Sequence, residues 1–485
     1  MISSLTWLDY SERDRRRALD VIDLFRERET VDELGIGSVR DAFSDLLFPG
    51  TSTIQTRACY FLHLPWIFRW MEERKVPSAR AADKARDLEL HLNDRLRKGP
   101  DEEGVFGSLA GRALKRLPSQ AYWGGLGTWG IRLFPGHLDA YFRSLDEFYR
   151  RRERHRRRSW DVEDPEAREA APANWHPHLP EAPKGFPWEA SVALRPEDAD
   201  YLADRIQSLH AGTLLAELVA ARDPEALDAE SPWDLPAVLD LPPAVREKLH
   251  HAGLFAVVLH GAALLYNLML AQAAENDRWI QRYERRLGEW TAEVAGRERD
   301  FREWELPRLW EVVEGIGRRA APSALGDGPR PKVPIPTRLF VERWVEIVRS
   351  RGPERALREG SGARRLIRDR EARLKGGRAR LRSRRHLELW GGNAGSRRLD
   401  FRWRSARRIL QDVFDGLGAT SAAPGTGEGG GSTALGARDG AGGGPAVDAR
   451  SAPEPRAAAG GAPGGTQAPG GDEASDARGS DAPDA

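Results

Sequence analysis

The pattern of apolar and polar positions predicts a mainly α-helical protein. After Ser11, apolar residues recur at the i, i+3, i+4, i+7 spacing of one helix face: Ala18, Val21, Ile22 and Phe25. Ser38 can cap a second helix, which Pro49-Gly50 would end. Thr51, Ser52 and Thr53 then offer N-caps for a third helix, which Pro65 should kink or break. A further helical block occupies roughly residues 196–320.

Two short stretches depart from this helical period. Near residues 387–404, apolar residues alternate with polar ones on both sides of a glycine turn, which is typical of a β-hairpin. Near residues 118–136, aromatic residues around flexible glycines indicate a packed turn, which fits a small winged-helix-like module. The fold class we expect is mainly α and multi-domain, with these small β-hairpin or winged-helix-like elements and a disordered C-terminal tail.

Shifts in composition divide the chain. We expect an N-terminal helical domain (residues 1–160), a Pro-rich linker or wrapping loop (161–190), a central helical domain (191–320) and a basic C-terminal domain (321–417). Residues 418–485 have no aromatic side chain and are rich in Gly, Ala and Pro. Such a segment cannot bury enough apolar surface to offset its chain entropy, so we expect it to be disordered.

The longest uncharged stretch, Ala252–Ala274, is long enough to cross a bilayer. His260, Asn267 and Gln272 interrupt it, and no aromatic belt or positively charged loop flanks it, so a buried central helix is the better interpretation. The single cysteine, Cys59, fits a reducing compartment, and the N-terminus lacks a signal-peptide pattern. We therefore expect a cytoplasmic protein without a membrane partner.

Positive charge is concentrated late in the sequence. The whole chain nets only +1, but residues 349–408 contain 21 Lys/Arg against 6 Asp/Glu. Segregated charge of this kind attracts polyanions. The first part, RRLIRDREARLKGGRARLRSRRH, has helical patches broken by Gly376-Gly377. We expect the second part to bind nucleic acid, DNA rather than RNA, through phosphate-contacting arginines and packing or stacking aromatics: Arg397, Arg398, Phe401, Arg402, Trp403, Arg404, Arg407 and Arg408.

No complete catalytic, cofactor or metal motif is present, and we expect neither a cofactor nor a metal. Residues 125–130 fit G-x-G-x-x-G, but a probable helix start at Ser119 stands where a dinucleotide fold needs a strand. His176-Pro177-His178 lacks the carboxylate spacing of a metal site. Catalytic residues stay unknown, and an enzyme is the less favoured class.

Two other classes of function stay open. One is a protein-interaction scaffold whose basic block docks on an acidic partner. The other is a divergent metal-dependent nuclease, for which a dense polar cluster is the first set to test: Asp32, Glu33, Arg40, Asp41, Asp45, Gln55 and Arg57. The same cluster fits a salt-bridged structural core, which is the interpretation we favour.

Several segments carry a resemblance to known sequences. The longest is VDELGIGSVRDAFSDLLFPGTSTIQTRACYF (residues 31–61); others are ISSLTWLDYSERDR, PSQAYWGGLGTWGI, LHGAALLYNLMLA and LDFRWRSARRIL. These segments resemble an uncharacterised bacterial family, the domain of unknown function numbered six-three-six-one. The resemblance covers about residues 1–415. It implies no catalytic residues, but it implies a place in bacterial gene clusters that handle foreign DNA, including phage defence, with possible protein partners in a multi-component complex.

Overall fold

The longest helix of the described residues, Pro243–Ala273, packs against four other helices. The computed structural model describes residues 32–107, 114, 116–160, 171–236, 240–315 and 333–418. The described residues belong to one compact unit, with apolar side chains from Leu34 to Phe414 in one connected core. Three predictions concern residues at the limits of these ranges or outside them: the helix after Ser11, the disordered tail beyond residue 418, and the domain boundaries near residues 160 and 320.

The described chain is helical, which confirms the expected mainly α class. The first half contains α1 (Gly37–Leu47), α2 (Tyr60–Glu73), α3 (Ser78–Leu96), α4 (Pro118–Thr128), α5 (Leu138–Trp160), α6 (Pro196–His210) and α7 (Leu214–Ala221). The second half contains α8 (Pro243–Ala273), α9 (Asp277–Gly296), α10 (Glu298–Glu303), α11 (Leu306–Glu314), α12 (Ile335–Arg351), α13 (Pro353–Leu357), α14 (Ala363–Lys375), α15 (Arg384–Glu388) and α16 (Trp403–Gly416). Short 3₁₀ turns lie at Pro224–Asp228, Pro232–Asp234 and Gly376–Arg378.

Helix α8 is apolar on every side because it is enclosed on every side. It packs against α1, α9, α12 and α14. Gly261 allows the closest approach: a Cβ there would lie 2.3 Å from the Trp290 ring of α9, whose indole N–H donates to the Val257 carbonyl at 2.8 Å. Its length and composition would suit a membrane span, but 89% of its most apolar window is buried inside the fold. The prediction of a buried central helix is confirmed.

The N-terminal helices follow the sequence pattern in part. Helix α1 matches the predicted helix at Ser38 and ends before Pro49. The predicted start of the next helix at residues 51–53 is wrong, because residues 51–59 form turns and α2 begins at Tyr60. The Thr51 hydroxyl donates back to the Phe48 carbonyl at 2.7 Å instead of capping a helix. Pro65 lies inside α2, which continues to Glu73.

The predicted β-hairpin at residues 387–404 does not form. Residues 384–388 are the short helix α15, and residues 389–402 run irregularly across α8 and α9. Their backbone groups bond to side chains instead of a partner strand: the Asn267 amide pairs with both the N–H and the carbonyl of Ala394 at 2.8 and 2.7 Å, and the Tyr283 hydroxyl donates to the Gly392 carbonyl. Buried backbone groups need partners, and helices α8 and α9 supply them.

The winged-helix-like module predicted near residues 118–136 does not form either. These residues contain one helix and one isolated β-bridge. Helix α4 starts at Pro118, as the sequence indicated, and Arg132 then forms an isolated antiparallel bridge with Trp175. The described part of the Pro-rich stretch, residues 171–190, lies against α2: the Trp66 indole donates to the Pro180 carbonyl at 2.7 Å, and Phe186 is 8% exposed.

Candidate nucleic-acid interface

The predicted stacking residues, Phe401 and Trp403, lie in the core. Each ring is 1% exposed. The ring centroid of Phe401 lies 5.3 Å from that of Phe43, and the ring centroid of Trp403 lies 5.6 Å from that of Phe48. The Trp403 indole N–H donates to the Ala229 carbonyl at 2.9 Å. These rings therefore join the start of α16 and the residues before it to α1 and its C-terminal end, and they have no face open to a base.

The predicted phosphate-binding arginines are largely engaged within the fold. Arg402 is 18% exposed and donates to the Asp45 carboxylate at 2.7 Å and to the Thr51 carbonyl at 2.8 Å. The other arginines of this set have these positions: Arg397 lies 3.7 Å from Asp400, Arg398 pairs with Glu293, Arg407 is half-buried beside the Ala229 carbonyl, Arg408 lies 3.6 Å from Asp101, and Arg404 is exposed. The structure thus spreads this set over contacts with several different elements.

The upstream part of the basic block presents an exposed face. Residues 365, 368, 369, 372 and 373 fall on one side of α14, and the opposite side, including Ile367, is buried. Asp369 lies 3.7 Å from Arg365 and 3.9 Å from Arg382, which places the segment after α14 beside the same face. We call the exposed arginines of this region the α14 basic face: Arg365, Arg368, Arg373, Arg378, Arg382, Arg384 and Arg385.

Carboxylates do not neutralise the α14 basic face. Its exposed acids are Asp369 and Glu388, and their ion pairs with arginines are loose, at 3.6–3.9 Å. Within the described parts of the chain, four of its arginines form no ion pair: Arg368, Arg373, Arg378 and Arg385. By contrast, the basic run on α5 carries its own acids, because Glu147 pairs with Arg150 and Arg154 and Glu153 pairs with two further arginines.

A buried carboxylate, Glu371, fixes the loop that follows α14 to the helix. Glu371 is fully buried and accepts from the Tyr266 hydroxyl of α8 at 2.6 Å. It also accepts from the backbone N–H groups of Arg380 and Leu381 at 2.9 and 3.0 Å. The loop after α14 is thereby fixed to the helix, and its arginines project from a rigid frame, which phosphate binding favours.

Glu33 ties the same region to the start of the described chain. It is 7% exposed and pairs with Lys375 and with Arg380. Burial raises the pKa of Glu33, but hydrogen bonds and charge from Lys375 and Arg380 outweigh burial and leave the pKa below its ordinary value. Arg370 adds a second tie, since its guanidinium donates to the carbonyls of residues 34, 35 and 336 at 2.8–3.0 Å.

The polar cluster considered for a nuclease is distributed over structural contacts. Asp32 accepts from the Ile36 and Gly37 backbone N–H groups at the start of α1. Arg57 is 4% exposed and donates to Asp412, Asp101 and the Glu103 carbonyl at 2.7–3.1 Å. The remaining members contact each other, the α1–α2 turn or cations late in the chain: Glu33 with Lys375, Arg40 with Asp41, Asp45 with Arg402, and Gln55 with Ser52 and Gly50.

Metal-binding geometry is absent from the described ranges, in which no three His, Cys, Asp or Glu side chains are grouped to hold an ion. His176 and His178 lie with ring centroids 5.6 Å apart, without a third ligand in those ranges. Residues 125–130 form the end of α4 and the turn after it, with no strand before them, so they lack the context of a dinucleotide loop. Cys59 is buried, and burial raises the pKa of its thiol.

The sequence contained the signal for the α14 basic face. The helical period of residues 363–375 separates Ala363, Ile367 and Arg370 from the exposed arginines. The aromatic residues in the second half of the block favoured residues 397–408 instead. Burial of Phe401 and Trp403 depends on partners more than 170 positions away, which local spacing does not reveal.

Comparison with known proteins gives a family but no activity. No curated protein and no solved structure gives a significant match to the chain. The model of a family of unknown function matches residues 2–417, which is most of the chain and includes every described residue except Gly418. The chain therefore belongs to the family of unknown function DUF6361.

Proposed function

We propose that this protein is a nucleic-acid-binding accessory component that holds the phosphate backbone on the α14 basic face. The observation that supports the proposal is the charge of residues 363–389, whose exposed charged side chains are seven arginines and only two acids. Guanidinium groups at fixed positions donate well to phosphate oxygens. The setting we propose is a bacterial DNA-handling or phage-defence system, which the family resemblance suggested. We place it in the cytoplasm, which the single cysteine and the N-terminal sequence suggested.

The composition of the surface favours nucleic acid over an acidic protein. The cores of protein–protein interfaces are depleted of charge and enriched in apolar contacts, whereas nucleic-acid interfaces are strongly positive. Leu374 and Leu389 are exposed near the α14 basic face, but the arginines outnumber them. The arginines of the α14 basic face would contact phosphates, which are the same in every sequence, so we expect binding to depend on backbone charge more than on base sequence.

Salt-titrated binding of the full chain to a short fluorescent DNA duplex tests the proposal. If the seven arginines each neutralise one phosphate, log K should fall with log[salt] with a slope of about −6, because each contact contributes about −0.9. The double variant Arg368→Ala/Arg373→Ala should reduce that slope by about 2. A flat salt response of the unmodified protein would refute the proposal.

A matched control separates a local contact from a change in net charge. Arg299→Ala/Arg302→Ala also removes two exposed arginines, but from α10, where each is paired with a glutamate four positions away. This control should bind duplex with the slope of the unmodified protein. Equal losses in the two double variants would show that net charge alone drives the binding and would remove the α14 basic face from the proposal.

The scaffold hypothesis makes a different prediction in the same protein. A partner protein that docks on the α14 basic face would be captured by the unmodified chain after nuclease treatment and lost from Arg368→Ala/Arg373→Ala. Retention of such a partner, together with absent duplex binding, would favour the scaffold. The nuclease hypothesis requires metal-dependent cleavage of bound strands, which gel analysis with Mg²⁺ or Mn²⁺ would detect.

A further inference from the structure

Trp188 is an exposed aromatic side chain held between two other rings. Half of its surface is exposed. Its ring centroid lies 6.1 Å from that of Trp70 on α2, at an interplanar angle of 60°, and 6.2 Å from that of His91 on α3. The two neighbours support the indole while half of it stays in contact with water. A single exposed aromatic side chain is common on protein surfaces, so the case for a binding site depends on the groups that surround the indole.

The backbone that carries Trp188 is anchored on the core. Phe186, two residues earlier, is 8% exposed and packs with ring centroids 5.5 Å from His63 and 5.3 Å from Trp66. The Trp188 backbone N–H donates to the Gly185 carbonyl at 2.8 Å, which closes the turn. The indole is therefore presented in a fixed position, and a ligand would not have to order it.

Two cations lie beside the aromatic pair. The Arg74 guanidinium carbon is 4.0 Å from the Trp70 ring centroid, and the Lys84 ammonium is 5.5 Å from it. Arg74 is half-exposed, and its ion pair with Glu73 is loose at 3.9 Å. An aromatic face next to two cations suits a ligand that combines a flat π-system with negative charge. The same cations would repel a quaternary ammonium or a methylated lysine.

We propose that Trp188 and Trp70, with Arg74 and Lys84, form a second binding site that takes an unpaired base of a single-stranded nucleic acid. The base stacks on the exposed Trp188 indole, and the flanking phosphates meet the two cations. The class of ligand rests on the function proposed above, whereas the site is a separate one on α2 and α3. Stacking on an indole tolerates every base, so the site selects single strands over duplex and does not select sequence.

Binding of the full chain to a short oligo-dT strand and to a duplex of equal length tests the inference. Trp188→Leu keeps apolar bulk but removes the π-face, and Trp188→Phe keeps a π-face. Trp188→Leu should weaken single-strand binding about 5- to 150-fold, the range measured for loss of one stacked base. Trp188→Phe should retain most of the affinity, and both variants should bind duplex as the unmodified protein does. Thermal unfolding confirms that each variant is folded.

The outcomes separate this inference from the proposed function. If Trp188→Leu and Trp188→Phe bind the single strand equally well, or if either loses duplex binding to the same degree, the stacking site is refuted. If the Trp188 variants change nothing while Arg368→Ala/Arg373→Ala abolishes duplex binding, only the second site fails. If the unmodified protein binds neither strand form, both proposals fail. Displacement of the single strand by choline would also overturn the site, because it would show a pocket for cations.

Discussion

The buried ion pair between Arg57 and Asp412 yields a prediction with a defined asymmetry. The two side chains are 4% and 3% exposed, and the guanidinium meets both carboxylate oxygens at 3.0–3.1 Å. Asp412 also accepts from the Ala58 backbone N–H at 2.7 Å. Arg57 has further partners in Asp101, at 2.7 Å, and the Glu103 carbonyl, at 2.8 Å. Removal of Arg57 therefore leaves Asp412 with fewer partners than removal of Asp412 leaves Arg57.

Arg57→Met leaves a buried carboxylate with only one backbone donor. Loss of one member of a buried pair costs about 3 to 5 kcal/mol, because the other charge stays buried and uncompensated. Asp412→Asn instead leaves a cation that still reaches Asp101, which is 45% exposed, and the Glu103 carbonyl. Asp412→Asn loses a charge-assisted hydrogen bond but leaves no buried ion without a partner, so the free energy of unfolding should fall by about 1 to 3 kcal/mol.

Urea unfolding followed by tryptophan fluorescence measures both costs. Burial lowers the pKa of Arg57, but Asp412 and Asp101 raise it by more, so the guanidinium stays charged throughout the usable pH range. In Arg57→Met, the folded state takes up a proton on Asp412 as the pH falls, so the deficit should shrink from pH 7 towards pH 4. A larger cost for Asp412→Asn than for Arg57→Met, or a deficit in Arg57→Met that does not change with pH, would refute the reasoning.

Three further variants test other parts of the fold. Burial raises the pKa of Glu89 to about 7, so its ionisation costs stability as the pH rises above about 4.5; Glu89→Gln should therefore stabilise the protein at pH 8 by up to about 3 kcal/mol and lose this advantage at pH 4.5, as measured by urea unfolding across pH. Gly125→Ala should destabilise by more than about 1 kcal/mol, because its Cβ would lie 2.3 Å from the Gly50 carbonyl oxygen, whereas Gly124→Ala, with nothing within 4 Å, should stabilise α4 by up to about 1 kcal/mol in thermal melts. Glu33→Gln should cost about 2 to 3 kcal/mol at pH 7 by urea unfolding. The cost should become smaller as the pH falls below about 4.5, because the pKa of Glu33 is lowered in the folded protein and protonation of the carboxylate removes its ion pairs with Lys375 and Arg380. A cost that does not vary with pH would contradict this prediction.

Features that depend on one element were predictable from the sequence. The apolar period and the Pro-Gly stop located α1, and the long uncharged run located the buried helix α8. The rejection of a dinucleotide loop at residues 125–130 also followed from local order, since Pro118 opens a helix there. In each case, one face or one terminator decided the structure.

Features that depend on distant partners were not predictable. Alternation at residues 387–404 is compatible with a hairpin, but Asn267 and Tyr283 bind that backbone from helices more than 100 positions earlier. Likewise, nothing in the sequence distinguishes Arg402 from the exposed Arg404, and only the fold brings Asp45 beside Arg402. Charge counts identify a basic region, but some of the carboxylates that pair with its cations come from elsewhere in the chain, as Glu33, Asp45 and Glu293 do.

The bond between Arg57 and Asp412 has a consequence for synthesis of the protein on the ribosome. The sequence separation of the two residues is 355 positions, and α16 also packs on α6 and α7. The earlier helices consequently leave the exit tunnel long before the helix that completes their packing. During that interval their tryptophan-rich inner surfaces are exposed to solvent, so a nascent chain stalled before α16 should be a strong client for chaperones that recognise exposed apolar segments.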